Sequence, residues 1–189
     1  MNGDEVRIPT SSQTVGPYFR IGLEYLLGLT PELAEGTPGT VELHGCVWDR
    51  DGAPVPDAML EFWSRATVAD GLHGDGKGSH FPAGFRRAAT GSDGTYRVVM
   101  ERPLAGRLNC ESPQAPHMLV LVFARGLLRH LISRVYLADE LANDNDPVLM
   151  TIPKERRATL IAQPDWNRTA VYRWDVVLQG TEETVFFAW

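Results

Sequence analysis

Two side chains able to do chemistry bracket the longest apolar run of this chain. His117 opens and Arg125 closes the stretch Pro116-His117-Met118-Leu119-Val120-Leu121-Val122-Phe123-Ala124-Arg125. A histidine entering a buried strand is either a metal ligand or a satisfied core residue, and an arginine leaving one either binds an anion or reaches solvent. Followed by Gly126, the Arg125 guanidinium stands at the edge of the core, where its fork of donors suits a carboxylate. Pairing with a loop acid such as Asp139 is the competing reading. The other histidines, His44, His73, His80 and His130, form no His-x-His or His-x-x-x-His pair with it or with each other. A metal site would need ligands converging from separate strands, and the spacing gives that no support. His44 shares a strand face with Glu42 and is read as facing solvent, while His73 and His80 fall in a glycine-rich loop and are read as exposed. There is no Gly-x-Ser-x-Gly and no phosphate loop, and Gly74-x-Gly76-x-Gly78 is not followed by a helix, so it is no nucleotide fingerprint.

The elements that must position these residues read as strands. Val41, Leu43, Gly45 and Val47 alternate with Glu42, His44, Cys46 and Trp48, which is strand period, and Asp49-Arg50-Asp51-Gly52 is a hairpin-type turn. A second strand runs over Ala58 to Trp63. Residues 84–90 and 95–100, joined by Ser92-Asp93-Gly94, read as a hairpin. The run 117–125 reads as a strand buried on both faces, with 130–137 returning beside it. Proline at the first position followed by strong helix formers predicts one short helix over Pro153 to Ile161, after an acidic loop from Asp139 to Asp146. Residues 170–179 alternate, and 184–189 read as a final apolar strand. Many short strands with one helix define an all-β, two-sheet β-sandwich. Residues 1–39 have no usable period and read as a long N-terminal arm, with the domain over 40–189.

Composition narrows the partners. The 189 residues are 43% hydrophobic with a formal net charge of -6 and no basic run, which argues against nucleic acid and anionic membrane surfaces. The longest apolar run is too short to span a bilayer. Cys46 and Cys110 are far apart and read as free buried thiols, which fits a cytoplasmic protein.

One family matches the motifs. Gly45-x-Val47-x-Asp49-x-x-Gly52-x-Pro54-Val55-x-Asp57-Ala58-x-x-Glu61-x-Trp63, with Arg87-x-x-Thr90-x-x-Asp93-Gly94-x-Tyr96, resembles the intradiol ring-cleavage dioxygenases. The arm Ser12-Gln13-Thr14-Val15-Gly16-Pro17-Tyr18 extends the likeness, as do Ala115-Pro116-His117, Phe123-Ala124-Arg125-Gly126, Arg134-Val135-Tyr136 and the tail from Gly180 to Phe187. Within the family these are features of the α-type chains of two-subunit enzymes that act on protocatechuate.

The resemblance implies a transthyretin-like sandwich and a mononuclear non-haem Fe(III) held by two tyrosines and two histidines of a partner β subunit, with αβ protomers in a larger oligomer and O2 as co-substrate. It implies that the arm packs on the partner. Thr14, Gly16, Pro17, Tyr18 and Arg125 would then line the substrate pocket. It implies no metal ligation and no catalytic residue in this chain alone. Leu119 stands where a second histidine ligand belongs, Gln114 near an active-site arginine, and tyrosines are missing from both expected stretches, leaving His117, Leu119 and Gln114 as a vestigial site. The alternative is a transthyretin-like binding or assembly module without a catalytic role, which would have no use for Thr14 to Tyr18.

Overall fold

The structure, a computed structural model, describes Leu33 and residues 36–65, 84–108 and 112–188, with the backbone alone at 107, 108 and 112. The strands are β1 Thr40–Trp48, β2 Met59–Ser64, β3 Phe85–Ala89, β4 Thr95–Glu101, β5 Gly106–Leu108, β6 Ser112–Gln114, β7 His117–Phe123, β8 Leu131–Leu137, β9 Ile161–Pro164, β10 Val171–Arg173 and β11 Val176–Val177. Nine of them form one hydrogen-bonded path, β11-β1-β10-β9-β8-β7-β2-β3 with β4 on β1, and β5 pairs with β6.

Period-2 alternation explains why the path folds over on itself. In β1 Val41, Leu43 and Val47 point one way, and in β2 and β7 Leu60, Phe62, Met118, Val120 and Val122 do the same. Each gains about 1.5–3 kcal/mol by leaving water. They can do so together only if the β1 half lies over the β2–β7 half. They share one cluster, and the Phe62 and Tyr96 rings meet across it with centroids 5.9 Å apart. The all-β class expected from the sequence is what forms. The two layers are joined into one nearly closed sheet by β9, parallel to β8 and antiparallel to β10.

Several local expectations are corrected. The turn before β4 is tight, with Gly94 N–H donating to Gly91 O and Asp93 Oδ1 accepting from Thr95. Yet β3 pairs with β2 and β4 with β1, so the turn carries the chain between layers and is no hairpin. β7 is buried on one face only: Met118, Val120 and Val122 are in the core, while His117, Leu119, Leu121 and Phe123 are half-buried. The helix after Pro153 is α2, Lys154–Arg157, followed by a 3-10 turn Ala158–Leu160. Ile161 is drawn out of it by pairing with Tyr136. An earlier helix, α1 Pro147–Thr151, follows a 3-10 turn Leu141–Asn145 inside the expected acidic loop. The tail from 184 is not a strand, although Thr184 and Phe187 donate to Val177 and Ile132.

Two glycines of the sequence motif are explained by space. A Cβ on Gly45 would lie 1.8 Å from Trp174 O, where β1 and the chain after β10 touch. Gly94 sits at φ +75 with Pro54 Cβ 2.6 Å from where its own Cβ would be.

Candidate functional site

The pairing of β2 with β7 sets Met59 opposite Phe123. Carried two residues beyond the strand ends, that register places Asp57 opposite Arg125. The side chains meet there: Arg125 Nε lies 3.3 Å from Asp57 Oδ2. The partner is therefore Asp57 and not Asp139, which is taken by Arg102 and the Tyr172 hydroxyl. The Arg125 side chain is 60% exposed and that of Asp57 11%. The guanidinium thus projects from the end of the layer, held at its Nε edge and otherwise mostly exposed.

His117 closes the other end of β7, roughly 25 Å away at about 3.3 Å per residue. Its Nδ1 lies 2.8 Å from Ala115 O, and since a carbonyl only accepts, Nδ1 carries the proton. Burial pushes the imidazole pKa down, as does the nearby Arg134 guanidinium, against the opposing pull of the Ala115 carbonyl and Asp146. Its ring packs on Tyr136 at 5.4 Å. The Tyr136 hydroxyl donates to Asp146 Oδ1 at 3.1 Å and accepts from Arg134 at 3.4 Å.

Asp146, fully buried, organises this end. Its Oδ1 also accepts from Val148 N and Leu149 N, capping α1, and its Oδ2 accepts from Ala115 N. Four donors compensate the buried carboxylate. The sequence reading missed this role, although an aspartate directly before a proline at a helix start is a cap signal.

These residues do not fit a ferric ion. His117 Nε2 has the lone pair a ligand needs, but Leu119, next on the same face, offers no donor. The adjacent phenol of Tyr136 is raised well above the ordinary range by burial and donates to Asp146, which opposes a tyrosinate. Among the described residues no group of three or more His, Cys, Asp or Glu is gathered so as to hold a metal. Gln114 is buried near this end, with its Nε2 unpartnered among the described residues.

Across the molecule, the face of β1 carrying His44 is not open to solvent. Glu42 is buried between Arg97 at 2.7 Å and Arg168 at 3.0 Å, and His44 is half-buried beside them. Burial alone would raise the Glu42 carboxyl pKa, but the two arginines outweigh it and hold it low. Cys46 is a buried free thiol. Thr14, Gly16, Pro17 and Tyr18, the loop with His73 and His80, and Cys110 lie outside the described residues.

The fold is that of the intradiol ring-cleavage dioxygenases. It matches the mercury-inhibited catechol 1,2-dioxygenase of Acinetobacter sp. ADP1 with a TM-score of 0.56 and 22% identity, over 77% of this chain and 54% of that one, so this chain spans about half that enzyme's length. No protein-family model matches the chain. Two curated relatives are nearer in sequence and in length. The protocatechuate 3,4-dioxygenase alpha chain of Burkholderia cepacia is 44% identical over 201 residues, covering 94% of this chain and 96% of that one. The alpha chain of the same name from Pseudomonas putida is 36% identical over 191 residues, covering 94% and 95%. This chain belongs to the protocatechuate 3,4-dioxygenase alpha-chain family.

Proposed function

We propose that this chain is the α subunit of a protocatechuate 3,4-dioxygenase. Together with a β subunit it completes the site in which O2 opens protocatechuate between its two hydroxyl-bearing carbons, giving 3-carboxy-cis,cis-muconate. The observation that carries the reading is the near-full-length identity to alpha chains of that name. In this reading the Fe(III) is bound by the β subunit, where it supplies activation of the catecholate towards O2. The contribution of this chain is orientation and charge. Residues 1–39 form an arm on the partner, with Thr14, Gly16, Pro17 and Tyr18 at the pocket wall. Arg125 attracts and orients the substrate carboxylate, a task its exposed, one-edge-anchored guanidinium suits. The αβ protomers assemble further in the cytoplasm. Among the described residues no helix is long and apolar enough to cross a membrane.

Co-expression with a β-type chain, followed by iron analysis and oxygen uptake on protocatechuate, tests the proposal. One iron per αβ pair and protocatechuate-dependent uptake are expected. An assembled pair without uptake, or full activity of the β chain without this one, would refute it.

A further inference from the structure

An arginine that orients a substrate must itself be oriented, and Arg125 has four side-chain torsions and is mostly exposed. Asp57 is its opposite in every respect. It lies in the link between β1 and β2, is itself buried, and its neighbours are pinned. Ala58 N–H donates to Thr90 Oγ1, Thr90 N–H donates to Ala58 O, and Thr90 Oγ1 donates to Val55 O. The backbone on either side of Asp57 is therefore held from the β2–β3 side of the layer, and its short, buried side chain has little room to move. Its Oδ2 meets Arg125 Nε at 3.3 Å, and its Oδ1 is buried with no hydrogen-bond partner among the described residues.

We propose that Asp57 is a positioning residue: it holds Arg125 by Nε and leaves the Nη end of the fork turned outward for an aromatic carboxylate. The inference rests on the role given to Arg125 above. The rigid, buried partner restrains the mobile, exposed one, and the edge it uses is not the edge that a second carboxylate needs. Two effects compete. Asp57 damps the charge that attracts the substrate, and it removes the orientational freedom that binding would otherwise have to freeze. Charge damping is weak at an exposed, screened guanidinium, so the orientational effect prevails.

The test uses the assembled αβ enzyme and two competitive probes of protocatechuate oxygen uptake, 4-hydroxybenzoate and its neutral amide. Their Ki ratio isolates carboxylate recognition from everything else. Asp57→Asn is expected to cut the preference for the acid about fivefold and raise KM for protocatechuate, with kcat and the Ki of the amide unchanged. Arg125→Ala should cut it about tenfold or more, and Asp57→Asn should add nothing in that background. Asp57→Glu, which keeps the charge, should retain more of the preference than Asp57→Asn. A preference unaltered in Asp57→Asn but lost in Arg125→Ala would overturn the positioning role and leave the role of Arg125 standing. Equal weakening of both probes, or tighter binding of the acid, would also overturn it. No effect of either substitution would remove the role of Arg125 itself, and Asp57 with it.

Discussion

His117 opens β7 and Arg125 lies two residues past its end, in opposite circumstances, one drawn inward and proton-bound to a carbonyl, the other projecting. Residue type and position were enough to single out both. Their partners were not legible, because a partner depends on register: Asp57 faces Arg125 across the β2–β7 pairing, 68 positions away in sequence. Likewise Tyr136 and Asp146 surround His117 only after β8 and α1 have docked. The depressed His117 pKa has a consequence for stability. The fold favours the neutral ring, so the stability it contributes is present above the ordinary imidazole pKa of about 6.5 and is lost as pH falls through the folded value. Unfolding free energy from urea titrations should fall less between pH 7 and pH 5.5 in His117→Gln than in the wild type; equal slopes would show that His117 titrates as it does in the unfolded chain.

Element by element, the strands read from period-2 patterning stand close to their predicted places, because alternation is local. Connections between them fared less well. Turn chemistry at Ser92-Asp93-Gly94 produced the tight turn, but which strands then pair is decided by the apolar faces of β3 and β4, which belong to different layers. The seam between those two strands carries an ion pair, Arg86 to Glu101 at 2.9 Å, with side chains only 4% and 8% exposed. Arg86 Nε and Glu101 Oε2 have no hydrogen-bond partner among the described residues, so the pair is incompletely compensated. Removing one member leaves a buried charge alone: Glu101→Gln should cost about 3–5 kcal/mol in chemical denaturation. Arg86→Met combined with Glu101→Leu should cost far less, and a double variant as unstable as the single would contradict this account. Helix boundaries erred for a similar reason, since Ile161 continues the helical pattern but serves β9.

For the whole molecule, the all-β architecture and the family were legible because motifs ran nearly the length of the chain. The joining of both layers by a four-residue strand was not, having no sequence signal of its own. At this scale the arm is expected to matter. Deleting residues 1–19 should weaken co-purification with the β chain or lower oxygen uptake, read by gel filtration and by assay of the truncated complex; full assembly and activity would make the arm dispensable. The chain expressed alone should bind no stoichiometric iron and show no visible tyrosinate-to-iron absorption, and a coloured, iron-loaded α chain would reverse the assignment of the metal to the partner.

The near closure of the sheet also governs how the molecule meets others. β3, β4 and the two-residue β11 each have one neighbour and are the margins of the path. Thr184 of the tail bonds to Val177 of β11, while β3 and β4 run beside one another, tied by the Arg86–Glu101 bridge. Unpaired backbone along such margins invites another chain to add a strand. Turned towards each other, these two deny it the room. Association through extended main-chain zippering is thereby disfavoured. Among the described residues of this sheet, side-chain surfaces and loops are then what the proposed αβ assembly would use, without competition from runaway edge pairing.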